Sequence, residues 1–246
     1  MKINGSHVAF LLTFCAFKLF AAPFEVKIHD ELITGNQEYS LEAEIKLYKP
    51  PLGGVITSSV VQSRFEVAKG LTQNSEFSIN LFTSAFDNKT QLNGGKLAHI
   101  YIPEHDESGW FHYGMKNEIN TVSGLNEAHA VFLELTPIVA FHFDSWRITL
   151  NPSVDVYLNR NRETIFAPAG KVSKKVASDY SLGVEYYSET GPIKHPKSFS
   201  ERPDAAYLVL DQQAKTFTYS LGVGKGIHAV GDRWIIKWIG SIPLNF

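Results

Sequence analysis

The sequence lacks three features that many exported or membrane proteins use. Its one cysteine, Cys15, lies in the amino-terminal segment 1–22, so the rest of the chain cannot be held together by disulfides. It has no apolar run long enough for a membrane-spanning helix, and the mean hydropathy of −0.10 excludes a bundle of such helices. It also has almost no apolar residues at helical spacing, which excludes a mainly helical fold.

The sequence also lacks an excess of charge of one sign. It has 23 Lys and Arg against 25 Asp and Glu, a net charge of −2, which is unsuitable for a nucleic-acid-binding protein. At 44% hydrophobic and 20% charged, it is not a disordered chain. The sequence is instead rich in aromatic residues: Phe, Trp and Tyr make up 13% of the chain.

The first 22 residues resemble a secretory signal. Lys2 gives a basic start, residues 8–20 (VAFLLTFCAFKLF) form a short apolar core broken by Lys18, and Ala21 and Ala22 are small residues suited to cleavage. We therefore predict a cleaved signal peptide at 1–22 and a single domain at 23–246.

Beyond residue 22 the sequence alternates between apolar and polar residues. In the last segment, 232–246, Trp234, Ile236 and Trp238 fall on one face and Arg233 and Lys237 on the other. Such alternation predicts strands with one apolar and one polar face.

Twelve segments follow this pattern. They are 39–47, 57–69, 75–86, 95–103, 110–121, 129–143, 146–159, 166–176, 180–187, 202–212, 215–226 and 232–246, and 25–33 is either a further strand or a leader into the first one. Most are longer than the five or six residues typical of soluble strands, and they match the 9–11 or so that a tilted membrane-spanning strand needs.

The connections between these segments alternate in length. Short ones are expected at 71–74, 144–145 and 177–178, and longer ones at 49–56, 87–94, 160–165 and 188–201; the stretch 104–109 departs from this alternation. Short turns at one end and long loops at the other are typical of bacterial outer-membrane barrels. Pro137 and Pro152 would each remove one ladder hydrogen bond, which suggests bulges or strand starts.

The sequence ends on an aromatic residue, Phe246, in a strand with two tryptophans on its apolar face. This ending resembles the carboxyl-terminal strand that the barrel-assembly machinery recognises in outer-membrane proteins. With the signal segment and the alternation, it predicts an all-β protein: a closed antiparallel transmembrane β-barrel of about 12 strands in the bacterial outer membrane, surrounded by lipid.

Four short motifs resemble a proteobacterial outer-membrane barrel family. They are FLELTPI at 132–138, WRITLNP at 146–152, FAPA at 166–169 and LGVEYY at 182–187. Members of that family are described as transporters or porin-like proteins, including some associated with phenol meta-degradation pathways. The resemblance implies a barrel and the passage of a small solute, and it supplies no catalytic residue.

The alternation places a set of charged side chains on the face away from lipid. These lumen-lining candidates are Arg64, Glu66, Lys116, Glu118, Glu134, His142, Arg147, Asp155, Glu185, Arg233 and Lys237. They can form a salt-bridge network that fills a narrow barrel, or line a water-filled pore and set its selectivity. We favour the network, since charged pairs in a barrel interior need no further function.

The sequence offers little support for catalysis. The histidines have no Ser–His motif beside them, and the turn residues 29–31 and 104–107 are unsuited to converge on a metal ion. Gly222 to Gly226 lacks the Ser or Thr of a phosphate loop. We therefore predict a small-solute channel with no enzyme activity, metal or cofactor. The alternatives are a soluble exported β-barrel or β-sandwich that binds a ligand, and a lumenal or lipid-facing hydrolase.

Overall fold

The computed structural model describes residues 26–54, 56–103, 109–123, 125, 129–159, 162–214 and 216–244. The predicted signal segment, the turn at 104–107 and the final residue Phe246 lie outside the described residues. In the described part the protein is almost entirely β-structure. The one helical turn given there is a 3₁₀ helix at Phe199–Glu201, and no described helix is long and apolar enough to cross a membrane.

Twelve long strands, of 8 to 14 residues, form the sheet. They are β1 (Tyr39–Lys49), β2 (Val60–Thr72), β3 (Ser75–Phe86), β4 (Lys89–Tyr101), β5 (Phe111–Val122), β6 (Ala130–Phe143), β7 (Trp146–Tyr157), β8 (Ile165–Lys175), β9 (Tyr180–Tyr187), β11 (Ala205–Gln213), β12 (Thr218–Gly226) and β13 (Trp234–Leu244). A two-residue strand, β10 (Gly191–Pro192), pairs with the start of β8.

The sheet closes on itself as an antiparallel barrel. Each long strand pairs with its neighbours in chain order, and β9 pairs with β8 on one side and β11 on the other. β13 pairs with β1 along its whole length, from Leu244 opposite Tyr39 to Trp234 opposite Lys49. This confirms the predicted closed barrel of twelve strands and excludes a sandwich of two stacked sheets.

The two ends of the barrel carry different connections. One end, which we call the turn end, has the short connections 73–74, 144–145, 176–179 and 214–217, together with the longer 102–110. The other, the loop end, has 50–59, 123–129, 158–164, 188–204 and 227–233, and one tight turn at 87–88. The predicted alternation therefore holds with one exception at each end.

Burial is inverted relative to a water-soluble protein. Ile79 and Leu81 on the outer face of β3 are each 53% exposed, while Arg64 and Lys237 on the inner face are 1% and 0% exposed. A strand of 11 residues, at about 3.3 Å per residue and tilted by about 40°, reaches about 28 Å, enough to cross an apolar band about 25 Å tall. The period-two pattern thus places apolar side chains outside and charged ones inside.

The predicted long connection at 87–94 is wrong. Asp87 and Asn88 both have positive φ (48° and 60°) and form a two-residue turn, so β4 begins at Lys89. The rest of the predicted connection belongs to β4 and contains a bulge: the pairing shifts between Phe82 and Thr83, and Gly94 has a φ of 131°. A bulge of this kind keeps the strand in the sheet while locally increasing its twist.

The expectation that Pro137 and Pro152 mark bulges or strand starts is also wrong. Both lie in strand interiors, and the β6–β7 register is the same on either side of them. Pairing is interrupted between Leu135 and Val139, where the two prolines face each other, and the Thr136 and Ser153 hydroxyls form a hydrogen bond of 2.8 Å across the gap. Placing both prolines at one point confines the missing ladder hydrogen bonds to a single site.

Candidate functional site

The amino-terminal segment 26–34 lies inside the barrel. The sequence allowed a further strand or a leader at 25–33; the described residues of that range contain no strand. The segment begins within an apolar cluster toward the loop end, where Val26 packs with Tyr48, Tyr207 and Ile235, and it leads through the lumen to β1.

Buried side chains of the barrel wall hold the backbone of this segment. The Val26 N–H donates to Glu44 at 2.8 Å, and its carbonyl accepts from Lys237 Nζ and from the Tyr187 hydroxyl, both at 2.7 Å. The Asn151 amide accepts from the His29 N–H at 2.7 Å and donates to the His29 carbonyl at 2.9 Å. Wall side chains therefore replace the neighbouring strand that an extended backbone otherwise needs.

The charged side chains of the segment pair with the wall near the turn end. Asp30 lies 3.2 Å from Arg147, and Glu31 lies 3.2 Å from Arg147 and 2.9 Å from His142. The Thr34 N–H donates to Glu76 at 2.6 Å. The segment is thus held at its start, its middle and its end.

One cluster of wall charges surrounds Arg64 on β2. Its guanidinium contacts Glu42, lies 3.0 Å from Glu44 and 2.8 Å from Glu66, and donates to Asn80 at 2.9 Å. The planar guanidinium has five N–H donors and can therefore serve carboxylates from several strands at once. On the side facing the segment, Lys27 reaches Glu42 at 2.8 Å.

A second cluster lies across the lumen around Glu185 on β9. Glu185 contacts Lys237 and lies 3.1 Å from Lys171, which lies 2.7 Å from Asp211. The Lys237 ammonium also lies 5.1 Å from the ring centre of Tyr207. Gly222 faces Lys237, and a Cβ there would come within 2.9 Å of the lysine side chain, so this glycine leaves room for it.

A third cluster runs across β4, β5, β6 and β7. Glu118 lies 2.5 Å from Lys96 and 2.7 Å from Lys116, and Lys116 lies 2.5 Å from the His29 ring. Glu134 is opposite Glu118 in the register and Asp155 is opposite Glu134. Three carboxylates thus form a row on neighbouring strands, with lysines at one end.

Two cavities border the amino-terminal segment in the described part of the lumen. A cavity of about 1010 Å³ opens toward the turn end, and one of about 160 Å³ lies toward the loop end. Their described linings share two residues, Lys27 and His29. Among the described lining residues, Asp and Glu outnumber Lys and Arg by nine to five in the larger cavity and by four to two in the smaller.

Ten of the predicted lumen residues face the interior. They are Arg64, Glu66, Lys116, Glu118, Glu134, His142, Arg147, Asp155, Glu185 and Lys237. Arg233 lies in the connection before β13, is exposed, and donates from Nε to the Pro50 carbonyl at 3.1 Å; its place among the lumen residues stays a prediction. Its placement followed from extending the alternation into the connection before the strand.

Sequence reasoning missed several residues that hold the segment. Glu44 and Asn151 lie on the polar faces of β1 and β7, where alternation alone could have found them. For Lys27 and His29 the available signal was the mixed-charge run at 25–31, seven residues before the first strand. That run does not reveal on which side of the barrel wall it lies.

At the loop end, ionisable groups outside the strands have altered proton affinity. Burial raises the pKa of Asp232, which borders the smaller cavity, and Lys46 at 3.8 Å opposes this shift. Hydrogen bonds from the Ser198 side chain and backbone lower the pKa of Glu201. Among the described residues no group of three or more His, Cys, Asp or Glu is arranged to hold a metal ion.

The sequence matches no protein-family profile and no curated protein. The fold is similar to the COG4313 outer-membrane channel from Pseudomonas putida F1, with a TM-score of 0.65, 8% identity, and coverage of 89% of this chain and 100% of that one. It is also similar to the KdgM porin solved with disordered oligogalacturonate (TM-score 0.56, 10% identity, 84% and 99% covered). The NanC porin is similar with a TM-score of 0.56 and 10% identity, and the match covers 84% of this chain and 100% of the NanC chain. At these identities the likeness concerns the fold.

Proposed function

We propose that the protein is a channel for small solutes in the bacterial outer membrane. The observation that carries this proposal is a closed barrel with an apolar outer face and a charged interior that holds a cavity of about 1010 Å³. A barrel interior lined by charged and polar groups can hold water and dissolved solutes. The similar structures named above are themselves an outer-membrane channel and two porins.

The outer face supports a membrane location. Closure of β1 on β13 leaves no open sheet edge, which is the condition for a sheet to cross hydrocarbon. A water-soluble barrel that binds a ligand would bury its apolar side chains inside and expose its charged ones, the reverse of the arrangement here. The predicted signal at 1–22 and assembly through the strand ending at Phe246 agree with this location and stay predictions.

A hydrolase in the lumen has less support. Two lumenal histidines contact charged groups, His29 with Lys116 and His142 with Glu31. His112 lies 2.8 Å from the Gly109 carbonyl oxygen. These contacts position the segment and the barrel wall, whereas a catalytic imidazole must face a nucleophile.

Membership of the phenol-pathway-associated group, which the sequence motifs suggest, is likewise part of the proposal.

Planar-bilayer recording tests the channel directly. Purified protein, folded in detergent and checked by its shift in electrophoretic mobility on heating, is expected to give discrete conductance steps in KCl. Liposome swelling with sugars of increasing size then measures the size limit. Activity against phospholipid or lipid A that disappears on replacing one serine or histidine would favour the hydrolase instead.

A further inference from the structure

We infer that the outer face of β4 and β5 is a contact surface for a second copy of this chain, and that the protein forms a dimer in the membrane centred on Asn117. The inference depends on the membrane location proposed above and not on whether the lumen conducts. It rests on two polar side chains, Asn117 and His99, on the face turned toward lipid.

The Asn117 side chain points out of the barrel. Asn117 lies on β5 between Lys116 and Glu118, which face the lumen and are each 2% exposed. Because successive side chains of a strand point to opposite faces, Asn117 lies on the outer face, where it is exposed. His99 lies directly opposite Asn117 on β4 and is also on the outer face. The two side chains therefore form one polar patch on the lipid-facing surface.

The strand register places this patch at the depth of the hydrocarbon. Directly opposed outer-face residues form a row from the turn end of β2 to the loop end of β8: Lys69, Phe77, His99, Asn117, Leu135, Val154 and Phe166. Such a row climbs from one end of a barrel to the other because the strands are tilted. Asn117 is in the middle of the row and therefore lies near mid-height, with His99 one step nearer the turn end.

The surroundings of the patch offer it no hydrogen bonds. Among the described residues, neither the Asn117 nor the His99 side chain has a hydrogen-bond partner. Leu97, Ile119 and Leu135, which lie around it on β4, β5 and β6, are apolar and exposed. An amide or imidazole that meets only hydrocarbon costs free energy, and neither water nor lipid headgroups reach mid-height. A partner for the patch therefore has to be another molecule within the membrane.

A second copy of the chain fits this patch because an amide is complementary to itself. The Asn117 amide has both N–H donors and a C=O acceptor. A twofold axis along the membrane normal brings two Asn117 side chains together at the same depth, where each donates one N–H to the other. The remaining N–H of each amide can be donated to His99 of its own chain, which lies opposite it. Hydrogen bonds between membrane-spanning segments stabilise their association.

Association in lipid vesicles tests the inference. Fluorescently labelled protein is expected to become dimeric as the protein-to-lipid ratio rises, counted by single-molecule photobleaching. Asn117→Leu is expected to weaken this association by about tenfold or more, because two hydrogen bonds are lost, and leucine suits a lipid-facing surface, so the variant should fold. Ser63→Leu, on the outer face of β2, is the matched control. It should leave association unchanged, because a serine hydroxyl can bond to its own backbone.

Cross-linking locates the contact while the Asn117 amide stays intact. In a chain carrying Cys15→Ala, Ile119→Cys is expected to give covalent dimers with a short bifunctional maleimide. Val172→Cys, on the outer face of β8, is expected to give none.

Three results would overturn the inference: a monomer at every protein-to-lipid ratio, a dimer that Asn117→Leu does not weaken, or cross-linking at position 172 in preference to 119. None of them affects the channel proposal, because each barrel has its own lumen. Equally, a folded protein that dimerises through Asn117 without conducting would contradict the proposed function and leave the contact surface standing.

Discussion

At the scale of single residues, the interior is organised by a few side chains with several partners each. Lys237 contacts Glu185, donates to the Val26 carbonyl and lies near the ring of Tyr207. Arg64 has a similar role among the carboxylates of β1 and β2. Buried charges require such partners, because removing a charge from water is costly unless the structure replaces the lost solvation.

Lys237→Met tests the contribution of such a residue to stability. It leaves Glu185 with Lys171 and the Tyr187 hydroxyl as partners and removes a donor from the Val26 carbonyl. Breaking a buried pair by removing one partner costs about 3–5 kcal/mol, and water in the lumen reduces this to an expected loss of about 2 kcal/mol in the free energy of unfolding. Urea unfolding in lipid vesicles measures it.

The double variant Lys237→Met with Glu185→Gln provides the control. It removes both charges of the pair and should recover part of the lost stability, because no buried carboxylate at position 185 is left without its lysine partner. If the single variant is as stable as the unmodified protein, the Glu185 cluster does not stabilise the barrel.

At the scale of elements, the bulge in β4 shows how the strand stays in the sheet. Gly94 has a φ of 131°, and an added Cβ would collide with the carbonyl oxygen of Thr121 on β5. Only glycine combines this backbone conformation with so close an approach of the neighbouring strand. The bulge also allows β3 and β4 to join through the two-residue turn at 87–88.

Gly94→Ala is therefore expected to destabilise the barrel by about 2–3 kcal/mol, through backbone strain and displacement of β5. The matched control is Gly54→Ala in the 50–59 connection, where the added Cβ meets its nearest atom at an ordinary 3.4 Å; it should change stability by less than about 0.5 kcal/mol. Equal unfolding midpoints for the two variants would contradict the role assigned to the bulge.

At the scale of the whole molecule, the inverted burial decides the surroundings of the barrel. Apolar side chains such as Leu81 are half exposed around the outer face, and in water such a surface would drive aggregation. In a bilayer the same surface is favourable. The fold therefore depends on lipid outside and on charge pairing inside.

Leu81→Arg tests the lipid contact, because Leu81 lies near the middle of β3 on the outer face. A charged residue at the bilayer midplane is expected to lower the free energy of unfolding in lipid vesicles by about 2–4 kcal/mol, which destabilises the barrel. Gln73→Arg, in the exposed turn after β2, carries the same charge to the membrane surface and should have an effect near zero. Similar losses at both sites would argue against a membrane-spanning outer face.

The sequence predicts strands better than connections. Predicted segments 75–86 and 180–187 coincide with β3 and β9, because alternation is a local property that each segment carries alone. The turn at 87–88 was missed because the polar stretch 87–94 is compatible with a loop or with a strand, and only pairing with β3 and β5 decides between them. The predicted last segment included Arg233, which lies outside β13, because alternation does not mark where a strand begins.

By itself, the sequence determined the twelve strands, their inner and outer faces and, through the long apolar–polar pattern, a barrel that closes. Only the tertiary structure decided that residues 26–34 lie in the lumen and which charges meet there. The physical reason is distance along the chain: His29 is bound by a side chain 122 residues away and Val26 by one 211 residues away. Contacts of that separation depend on the closed barrel, which brings distant strands to face one lumen.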